Sequence, residues 1–341
     1  MMNETMTFSD IVRKSASGDT LQQDQMAQAM QEMLSGNVKP VQIATFLTAL
    51  KMRGETPAEL AAAAYAMRQE ANRFNGPEGC LDTCGTGGDG AHTYNISTAV
   101  AFVLAGCGVP VAKHGNKAVS SSSGSSDVLA ELGVNLMAPM DVVKNCLDEI
   151  GITFLFAQRH HPAVRHVAPV RQDMGVRTLF NLLGPLTNPA GAKHQLLGVF
   201  NRSLTAPVAE VLQQLGGISA WVVHGSDGLD ELTTTGPSFV SALADGNIRH
   251  FDVTPNDAGL DINTADEIRG GDISHNATAL HAMLEGEKSA YRNIVLFNAA
   301  AGLIVAGRAV NLKDGASRAA EAIDTGKAAR KLQLLVERTN A

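Results

Sequence analysis

Short apolar runs alternate with helix-length segments through the middle of this 341-residue chain, and this alternation constrains the fold more than any other feature. Glycines concentrate there too, since eleven of the 33 glycines lie between Gly76 and Gly133. Such alternation is typical of βαβ units and a parallel sheet. The sequence therefore predicts an α/β fold, with strands at residues 80–83, 109–112, 134–136, 152–156, 195–199 and 220–223.

The N-terminal region, up to about residue 75, has helical spacing instead. The pattern predicts one helix from Pro40 to about Met52, ending at Gly54. A capping box that starts at Thr56 predicts another helix beginning at Pro57. We interpret this region as a small helical bundle. Helical spacing returns at 171–189, 291–306, 312–325 and 327–338.

The composition argues against several classes of function. Lys and Arg number 27 against 34 Asp and Glu, which gives a net charge of −7, and aromatic residues make up 4%. Nucleic-acid-binding proteins are usually basic, and many stack bases on aromatic side chains, so we expect no nucleic-acid partner. The four cysteines form no CxxC pair, and no stretch reaches about 18 uncharged apolar residues. We therefore expect a cytoplasmic protein with reduced thiols and no membrane association.

A glycine-rich loop follows the first predicted strand. Gly85, Gly87 and Gly88 lack a Cβ, so the backbone can adopt positive φ and its N–H groups can surround an anion. Residues 93–98 then open an apolar helix, whose N-terminus also favours phosphate. A plain strand–helix turn would need fewer glycines. The loop is neither a Walker A nor a GxGxxG motif, and Asp89 suggests a sugar hydroxyl or a metal-bridged phosphate.

A second polar loop, residues 113–127, follows the next predicted strand. It contains two lysines, six serines and two glycines. A loop of this composition can be a flexible connection. Lysine and asparagine on either side of a glycine at a strand end favour a second phosphate cradle instead. The same loop could also fold over the substrate as a lid.

Adjacent carboxylates at Asp230 and Glu231 come shortly after the last predicted strand. Such pairs are usually just solvated. At a strand end opposite two phosphate loops they suit Mg²⁺, which prefers one or two carboxylates plus water and substrate phosphates. Upstream, no acidic residue lies between Glu149 and Asp173. That cationic segment predicts recognition of an anionic substrate by an arginine, rather than a metal site at its histidines.

Seven ordered motifs together resemble the anthranilate phosphoribosyltransferase family, over nearly the whole chain. They include both polar loops, the acidic pair and a proline-bounded helical segment. In this sequence they are Asp82-Thr83-x-Gly85-Thr86-Gly87-Gly88-Asp89, Asn95-Ile96-Ser97-Thr98, Lys113-His114-Gly115-Asn116, Ser122-x-Gly124-Ser125-x-Asp127, His161-Pro162-Ala163, Arg177-Thr178-Leu179-Phe180-Asn181-Leu182-Leu183-Gly184-Pro185-Leu186-Thr187-Asn188-Pro189 and Asp230-Glu231.

The resemblance implies a small helical domain, residues 1–75 with 171–189. It implies a larger α/β domain, residues 76–170 with 190–341, whose central, mostly parallel sheet is flanked by helices. The implied activity is that of a homodimeric pentosyltransferase of tryptophan biosynthesis. It would move the 5-phosphoribosyl group from 5-phosphoribosyl diphosphate (PRPP) to anthranilate. Mg²⁺ is the implied cofactor, with two ions per site. We assign no general base, because the attacking amine is already neutral.

The site residues that the resemblance implies fall into three groups. The PRPP site would be formed by Gly85, Gly88, Asp89, Thr93, Asn95, Ile96, Ser97, Thr98, Lys113, His114, Gly115, Asn116, Lys117, Ala118, Val119, Ser120, Ser121 and Ser125. The anthranilate site would be formed by Gly85, His114, Asn116, His161, Arg171, Gly184 and Pro185. The metal ligands would be Ser97, Asp230 and Glu231.

Two other classes of protein remain open at this point. A pyrimidine nucleoside phosphorylase resembles this fold and has phosphate loops, but it would bind free phosphate and need no metal. The acidic pair and the intact glycine-rich motif argue against it. A non-enzymatic nucleic-acid-binding relative would have a basic groove and degraded motifs, unlike this acidic chain.

Overall fold

A computed structural model describes residues 6–117 and 123–341 of the chain. Strands and helices alternate through its middle, and helices form both ends. The strands are β1 (Leu81–Gly85), β2 (Val111–Gly115), β3 (Ile152–Phe156), β4 (His194–Gly198), β5 (Ser219–Gly225), β6 (Ser238–Ala244) and β7 (Asn247–Val253). The helices are α1 (Phe8–Ala16), α2 (Gln23–Ser35), α3 (Pro40–Arg53), α4 (Pro57–Gln69), α5 (Ile96–Gly106), α6 (Ser125–Glu131), α7 (Met140–Asn145), α8 (Ala157–His160), α9 (Ala168–Met174), α10 (Phe180–Leu186), α11 (Thr205–Gln214), α12 (Ile273–Leu284), α13 (Ala290–Val305), α14 (Leu312–Asp324) and α15 (Lys327–Thr339).

These strands form one sheet in the order β3-β2-β1-β4-β5-β6-β7. Neighbours from β3 through β5 pair in parallel, whereas β6 pairs antiparallel with both β5 and β7. The expected mostly parallel sheet is therefore confirmed. The chain extends the sheet on one side of β1 through β2 and β3, and on the other side through β4 and β5. The strand order thus reverses between β1 and β4.

One predicted strand, residues 134–136, is wrong. These residues lie in an irregular connection between α6 and α7. The Val134 N–H donates to the Leu129 carbonyl at 2.9 Å, and the Asn135 N–H donates to Thr339 Oγ1 at 3.1 Å. Because the backbone donors bond to helical residues, they cannot join a sheet ladder. Val134 is still buried, so its apolar character reflects the core rather than a strand.

The antiparallel hairpin of β6 and β7 is absent from the sequence prediction. Its turn places Asp245 and Gly246 at φ values of 50° and 72°. An Asp-Gly pair at positive φ is typical of a tight two-residue hairpin turn. The signal was therefore present in the sequence, but β7 lies at the sheet edge and most of its residues are exposed, so it carries little apolar pattern.

Helices cover both faces of the sheet. On one face α5 packs with α13, α14 and α15, around large buried side chains such as Phe102 and Phe297. On the other face α11 and the N-terminal helices form a second core, which includes Phe46 and Leu197. Among the described residues, no helix combines the length and apolar character needed to span a membrane.

The capping box at Thr56 is confirmed and extends into a buried ion pair. Thr56 and Glu59 cap the start of α4 reciprocally. The buried Glu59 carboxylate also accepts two bonds from Arg53, at 2.6 and 2.7 Å, and the Leu21 N–H at 2.8 Å. Burial alone would raise the pKa of Glu59, but these hydrogen bonds outweigh it and lower the pKa. This one side chain therefore ties α3, α4 and the start of α2 together.

The 171–189 segment packs on the N-terminal helices, as the predicted domain division requires. Arg68 of α4 donates to the Leu186 carbonyl at 2.8 Å. The connection out of the bundle runs beside the end of the same segment, with the Gly76 N–H bonded to the Ala190 carbonyl at 2.9 Å. These contacts support the division at residues 75–76 and 189–190, which itself stays a prediction.

Candidate active site

The predicted site residues gather where the strand order reverses. β1, β4 and β2 end at Gly85, Gly198 and Gly115, on the same edge of the sheet. Open α/β sheets bind ligands beyond the carboxyl ends of their strands at such a switch point. The acidic pair lies in the connection between β5 and β6, which returns to this edge. The fold thus brings together the glycine-rich loop, the second polar loop and the acidic pair.

Asp230 lies directly over the ends of β1 and β4. A Cβ built on Gly85 would overlap the Asp230 carboxylate, and one on Gly198 would overlap the Asp230 backbone carbonyl. Gly85 and Gly198 also pair across the sheet. Both positions therefore need glycine to let the acidic pair approach the sheet. The Gly87 N–H then donates to Asp230 Oδ2 at 2.6 Å, which links the acidic pair to the glycine-rich loop.

Three carboxyl groups, those of Asp89, Asp230 and Glu231, lie close together at this point. Burial raises the pKa of Asp230, and the neighbouring Asp89 raises it further. Burial and the adjacent Asp230 likewise raise the pKa of Glu231, which Lys113 partly offsets. Within residues 6–117 and 123–341, no group of three or more His, Cys, Asp or Glu side chains is arranged to hold a metal ion by itself. A cation bound here would need oxygen ligands from a substrate as well, as Mg²⁺ often does.

Lys113 connects the ends of β1 and β2 to the start of α5. Its buried ammonium donates to the Thr83 carbonyl at 2.6 Å and to Ser97 Oγ at 3.2 Å. Thr83 in turn donates its hydroxyl to the Ser97 carbonyl at 2.8 Å. The positive end of the α5 dipole and the Lys113 charge therefore lie together, beside the buried carboxylates.

The other predicted PRPP residues at the start of α5 and just before it differ in whether their side chains are accessible to a ligand. The side chains of Ile96 and Thr98 are buried in the helix packing, so only their backbone groups could reach a ligand. Thr93 makes an isolated backbone bridge with Arg269. The half-buried Asn95 carboxamide bonds to Ser123. Of the predicted residues at this helix start, Thr93, Asn95 and Ser97 are only partly buried.

The second polar loop begins at the end of β2, where Gly115 lies close to Ser125 at the start of α6. A Cβ on Gly115 would overlap Ser125 Oγ, and that hydroxyl donates to the Asn116 carbonyl at 3.3 Å. Gly115 therefore lets the start of α6 approach the strand end. Asn116 and Lys117 are exposed. Four predicted PRPP residues lie outside the described residues: Ala118, Val119, Ser120 and Ser121.

Two buried imidazoles lie beside the proline-bounded helix. The His114 and His161 ring centroids are 5.2 Å apart, and His114 Nδ1 is 3.0 Å from the Gly184 carbonyl. His114 Nε2 is buried without a hydrogen-bond partner among the described residues. Burial lowers the pKa of His114 well below its usual range and that of His161 to about 4. Both rings are therefore neutral at neutral pH, and this group of predicted anthranilate residues carries no charge.

Arg171 is one basic residue of this region that could pair with an anion. Its guanidinium lies 5.1 Å from the centre of the Phe180 ring. No carboxylate in the described part of the chain forms an ion pair with it. Burial lowers its pKa. By contrast, Arg159 donates to the Ala138 carbonyl and His160 bonds to the Asn72 carbonyl, so both have structural partners.

Arg177 is a residue in the site region to which sequence reasoning gave no role. It donates through Nη2 to the Gly88 carbonyl, and its guanidinium lies 4.3 Å from the centre of the Phe200 ring. The Phe200 N–H in turn donates to Thr86 Oγ1 at 3.1 Å. Arg177 therefore bridges the helical segment and the glycine-rich loop. Its motif was noted in the sequence, but nothing in the sequence indicates which loop it reaches.

Asn298 was also missed. It is fully buried on the apolar helix α13, where it accepts the Leu232 N–H at 2.9 Å and donates to the Leu232 carbonyl at 2.8 Å. Leu232 directly follows the acidic pair, so Asn298 fixes the backbone that carries Glu231. A polar residue in the middle of an apolar helix is the signal that could have identified it, since buried amides need partners.

Asp82 is a third residue without a predicted role. It is fully buried in β1 and accepts the His114 N–H at 3.0 Å through Oδ1. Burial raises its pKa, which the nearby Lys113 partly offsets. Asp82 thus holds the end of β2 against β1, below the loops that form the site.

Family models describe the chain in two parts. The helical bundle domain of the glycosyl transferase family matches residues 9–71, and the a/b domain of the same family matches residues 78–329. Together these matches cover most of the chain, including the loops described above.

Anthranilate phosphoribosyltransferases from other organisms are similar to this chain over almost its whole length. The chain is 56% identical to the anthranilate phosphoribosyltransferase of Rhodospirillum rubrum, over 96% of this chain and 95% of that protein. It is 52% identical to an enzyme of the same name from Rhodopseudomonas palustris, over 98% of both. Among solved structures, the anthranilate phosphoribosyltransferase of Thermus thermophilus superposes with a TM-score of 0.93 at 43% identity, over 97% of this chain and 100% of that one. The Saccharomyces cerevisiae enzyme in complex with PRPP and Mg superposes with a TM-score of 0.91 at 27% identity, over 98% of both chains.

Proposed function

The chain belongs to the anthranilate phosphoribosyltransferases of the glycosyl transferase family, and from this premise we propose how its residues carry out the family's reaction. The protein is a pentosyltransferase of tryptophan biosynthesis. It transfers the 5-phosphoribosyl group of PRPP to anthranilate and yields N-(5-phosphoribosyl)anthranilate and diphosphate. One observation supports the proposed site above all. A glycine-rich loop, the start of α5 and two buried carboxylates lie together where the strand order reverses between β1 and β4.

PRPP binds at the ends of β1 and β2 in this proposal. The N–H groups of the glycine-rich loop and the start of α5 face the diphosphate, because unpaired N–H groups at such places attract anions. Lys113 adds a full positive charge at the same point. Asn95, Ser97 and Ser125 supply side-chain hydrogen bonds, and Asp89 accepts a ribose hydroxyl or orders a metal ligand.

Asp230, Glu231 and Ser97 are the proposed ligands of Mg²⁺. Their chemistry fits the ion, since carboxylate and hydroxyl oxygens are its preferred protein ligands. The raised pKa values of the two carboxylates fit as well, because buried like charges are relieved by a cation. A bound Mg²⁺ would neutralise charge on the departing diphosphate. We propose two ions per site, since two carboxylates can each serve a different ion.

Anthranilate binds between the second polar loop and the helices α9 and α10 in this proposal. Arg171 pairs with its carboxylate, and Asn116 holds it from the opposite side. The neutral rings of His114 and His161, with Gly184, Pro185 and Gly85, line the path of the aromatic ring. The neutral rings suit aromatic anthranilate, and the guanidinium of Arg171, which has no carboxylate partner among the described residues, suits its charge.

Catalysis in this proposal relies on charge neutralisation and positioning. The amine of anthranilate attacks the anomeric carbon as diphosphate leaves, through an oxocarbenium-like transition state. N–H groups and Lys113 stabilise the charge that develops on the diphosphate. The amine already carries a lone pair, so no residue has to act as general base before the attack. The proton that the nitrogen loses after the new bond forms passes to the departing diphosphate or to water. Holding both substrates in one cleft supplies much of the rate.

We also propose a homodimer. Helix α3 presents Val41 and Met52 on one face, and they are 68% and 81% exposed. Exposed apolar residues of one helix face suit a symmetric contact between two copies. Sedimentation of the wild type should show a dimer, and Met52→Glu should shift it towards the monomer. A cytoplasmic location stays a prediction from the sequence composition.

The activity is tested by mixing the purified protein with anthranilate, PRPP and Mg²⁺ and following the loss of anthranilate fluorescence. We expect loss that requires all three components and stops on chelation of Mg²⁺. Phosphorolysis of thymidine or uridine without metal is the matched assay for the competing phosphorylase. Phosphorolysis combined with unchanged anthranilate fluorescence would contradict the proposed reaction.

A further inference from the structure

Asn276 connects the two loops of the proposed PRPP site from a helix outside it. It lies in the first turns of α12 and is 1% exposed. Its Nδ2 group donates to Asn95 Oδ1 at 3.2 Å and to Ser123 Oγ at 2.6 Å. Asn95 precedes α5 after β1, and Ser123 precedes α6 after β2. One buried amide thus contacts both polar loops.

The orientation of this amide is determined by its third partner. The Gly271 N–H donates to Asn276 Oδ1 at 2.8 Å, so the oxygen must face that backbone group and the NH₂ must face the loops. The NH₂ group then requires an acceptor from Asn95. The Asn95 oxygen therefore points towards Asn276, and its own NH₂ points towards the Ser123 carbonyl, 3.4 Å away.

The segment that precedes α12 supports the same region through the backbone. The Tyr94 N–H donates to the Ile268 carbonyl at 3.3 Å, and the Gly270 N–H donates to the His92 carbonyl at 2.9 Å. A Cβ on Gly270 would lie 2.6 Å from the Thr93 carbonyl, so glycine permits this close pairing. Backbone residues 92–94 are thus held by the segment that leads into the helix carrying Asn276.

We infer that Asn276 is a positioning residue for PRPP: it sets the orientation of the Asn95 carboxamide. The inference rests on the proposed function, because it requires Asn95 to contact PRPP. A purely structural role would affect only the stability of α12, through Gly271. The positioning role predicts a selective effect on the substrate that Asn95 binds.

The test compares Asn276→Ala with Leu280→Ala, a fully buried core residue of the same helix. Steady-state kinetics are measured with PRPP and anthranilate varied separately, and PRPP binding with Mg²⁺ is measured by calorimetry without anthranilate. We expect Asn276→Ala to raise the KM and Kd for PRPP about tenfold, with the KM for anthranilate changed less than about twofold. Leu280→Ala should lower the melting temperature and leave the PRPP constants near those of the wild type.

Asn95→Ala and the double variant Asn95→Ala/Asn276→Ala test separately whether Asn95 binds PRPP and whether Asn276 acts through Asn95. If Asn276 acts through Asn95, removing Asn276 in the Asn95→Ala background should change the PRPP affinity by less than about twofold. Additive effects, or a PRPP affinity of Asn276→Ala equal to that of the wild type, would overturn the inference. If Asn95→Ala itself binds PRPP normally, the proposed PRPP site is wrong, and the failure lies there rather than in Asn276.

Discussion

The backbone N–H of Gly87 donates to Asp230 Oδ2 at 2.6 Å, so the glycine-rich loop and the acidic pair are in direct contact. The loop that we propose for the diphosphate thus uses one of its N–H groups to orient a carboxylate of the proposed metal site. The contact is possible because Gly85 and Gly198 leave room for Asp230 above the sheet. Glycines at two strand ends therefore allow the acidic pair to lie over the sheet.

Gly198→Ala should displace Asp230, because the new Cβ would overlap the Asp230 carbonyl. Gly198 contacts no substrate in our proposal, so the effect is transmitted through the acidic pair alone. We expect kcat/KM at saturating Mg²⁺ to fall on the order of 100-fold. Gly236→Ala is the matched control, since its Cβ would meet only the movable Ser226 hydroxyl. Wild-type kinetics for Gly198→Ala would show that the position of Asp230 is unimportant.

Asp230→Asn combined with Glu231→Gln should raise the stability of the metal-free protein and lower its apparent affinity for Mg²⁺. Burial raises the pKa of both carboxylates, so their charges destabilise the metal-free fold at neutral pH. We expect the double variant to melt at a higher temperature than the wild type without Mg²⁺. It should also need a much higher Mg²⁺ concentration for half-maximal activity. An unchanged Mg²⁺ titration would remove the pair from the proposed metal site.

Arg171→Ala should raise the KM for anthranilate at least tenfold, with a much smaller effect on PRPP. The reason is the loss of the charged partner for the anthranilate carboxylate, worth about 1.5–3 kcal/mol for a hydrogen bond to a charged group. Arg165→Ala is the control, because Arg165 is an exposed arginine of the same basic segment. Equal effects of Arg171→Ala on both substrates would contradict the carboxylate role.

The architecture and the loops of this site could be predicted from the sequence because they depend on local patterns. Glycines after apolar runs, the capping box at Thr56 and the acidic pair at residues 230–231 can all be identified without knowing any contact. Asn276, Asn298 and Arg177 could not be assigned this way. Each reaches across more than 60 residues of sequence, to Asn95, Leu232 or Gly88, and only the packing of α10, α12 and α13 shows which partner it meets.

Glu59→Ala should destabilise the protein by about 3 kcal/mol, because Arg53 would keep a nearly buried charge without its partner. The Leu21 N–H would lose its acceptor as well. Chemical denaturation measures the loss, and Glu70→Ala, an exposed glutamate just after the same helix, should change the free energy of unfolding by less than about 0.5 kcal/mol. The pKa of Glu59 is lower in the folded protein than in the unfolded chain. The stabilisation by its carboxylate is therefore complete above the unfolded pKa and is lost as the pH falls through the folded pKa. An equal effect of the two variants would show that the buried pair is not stabilising.

The free energy of unfolding should fall as the pH is lowered from about 6.5 to about 4, partly through His161. Burial lowers the pKa of His161 to about 4, whereas the ordinary value is 6.5, so the unfolded chain takes up the proton first. Lowering the pH by one unit in that window therefore reduces the free energy of unfolding by about 1.4 kcal/mol through this one group, up to about 3 kcal/mol in total. Denaturation of the wild type and of His161→Phe across this range isolates the contribution, because the variant should lose that part of the slope. A titration of the His161 ring by NMR with a midpoint near 6.5 in the folded protein would contradict the prediction. It would also mean that this ring is not the neutral surface proposed for anthranilate.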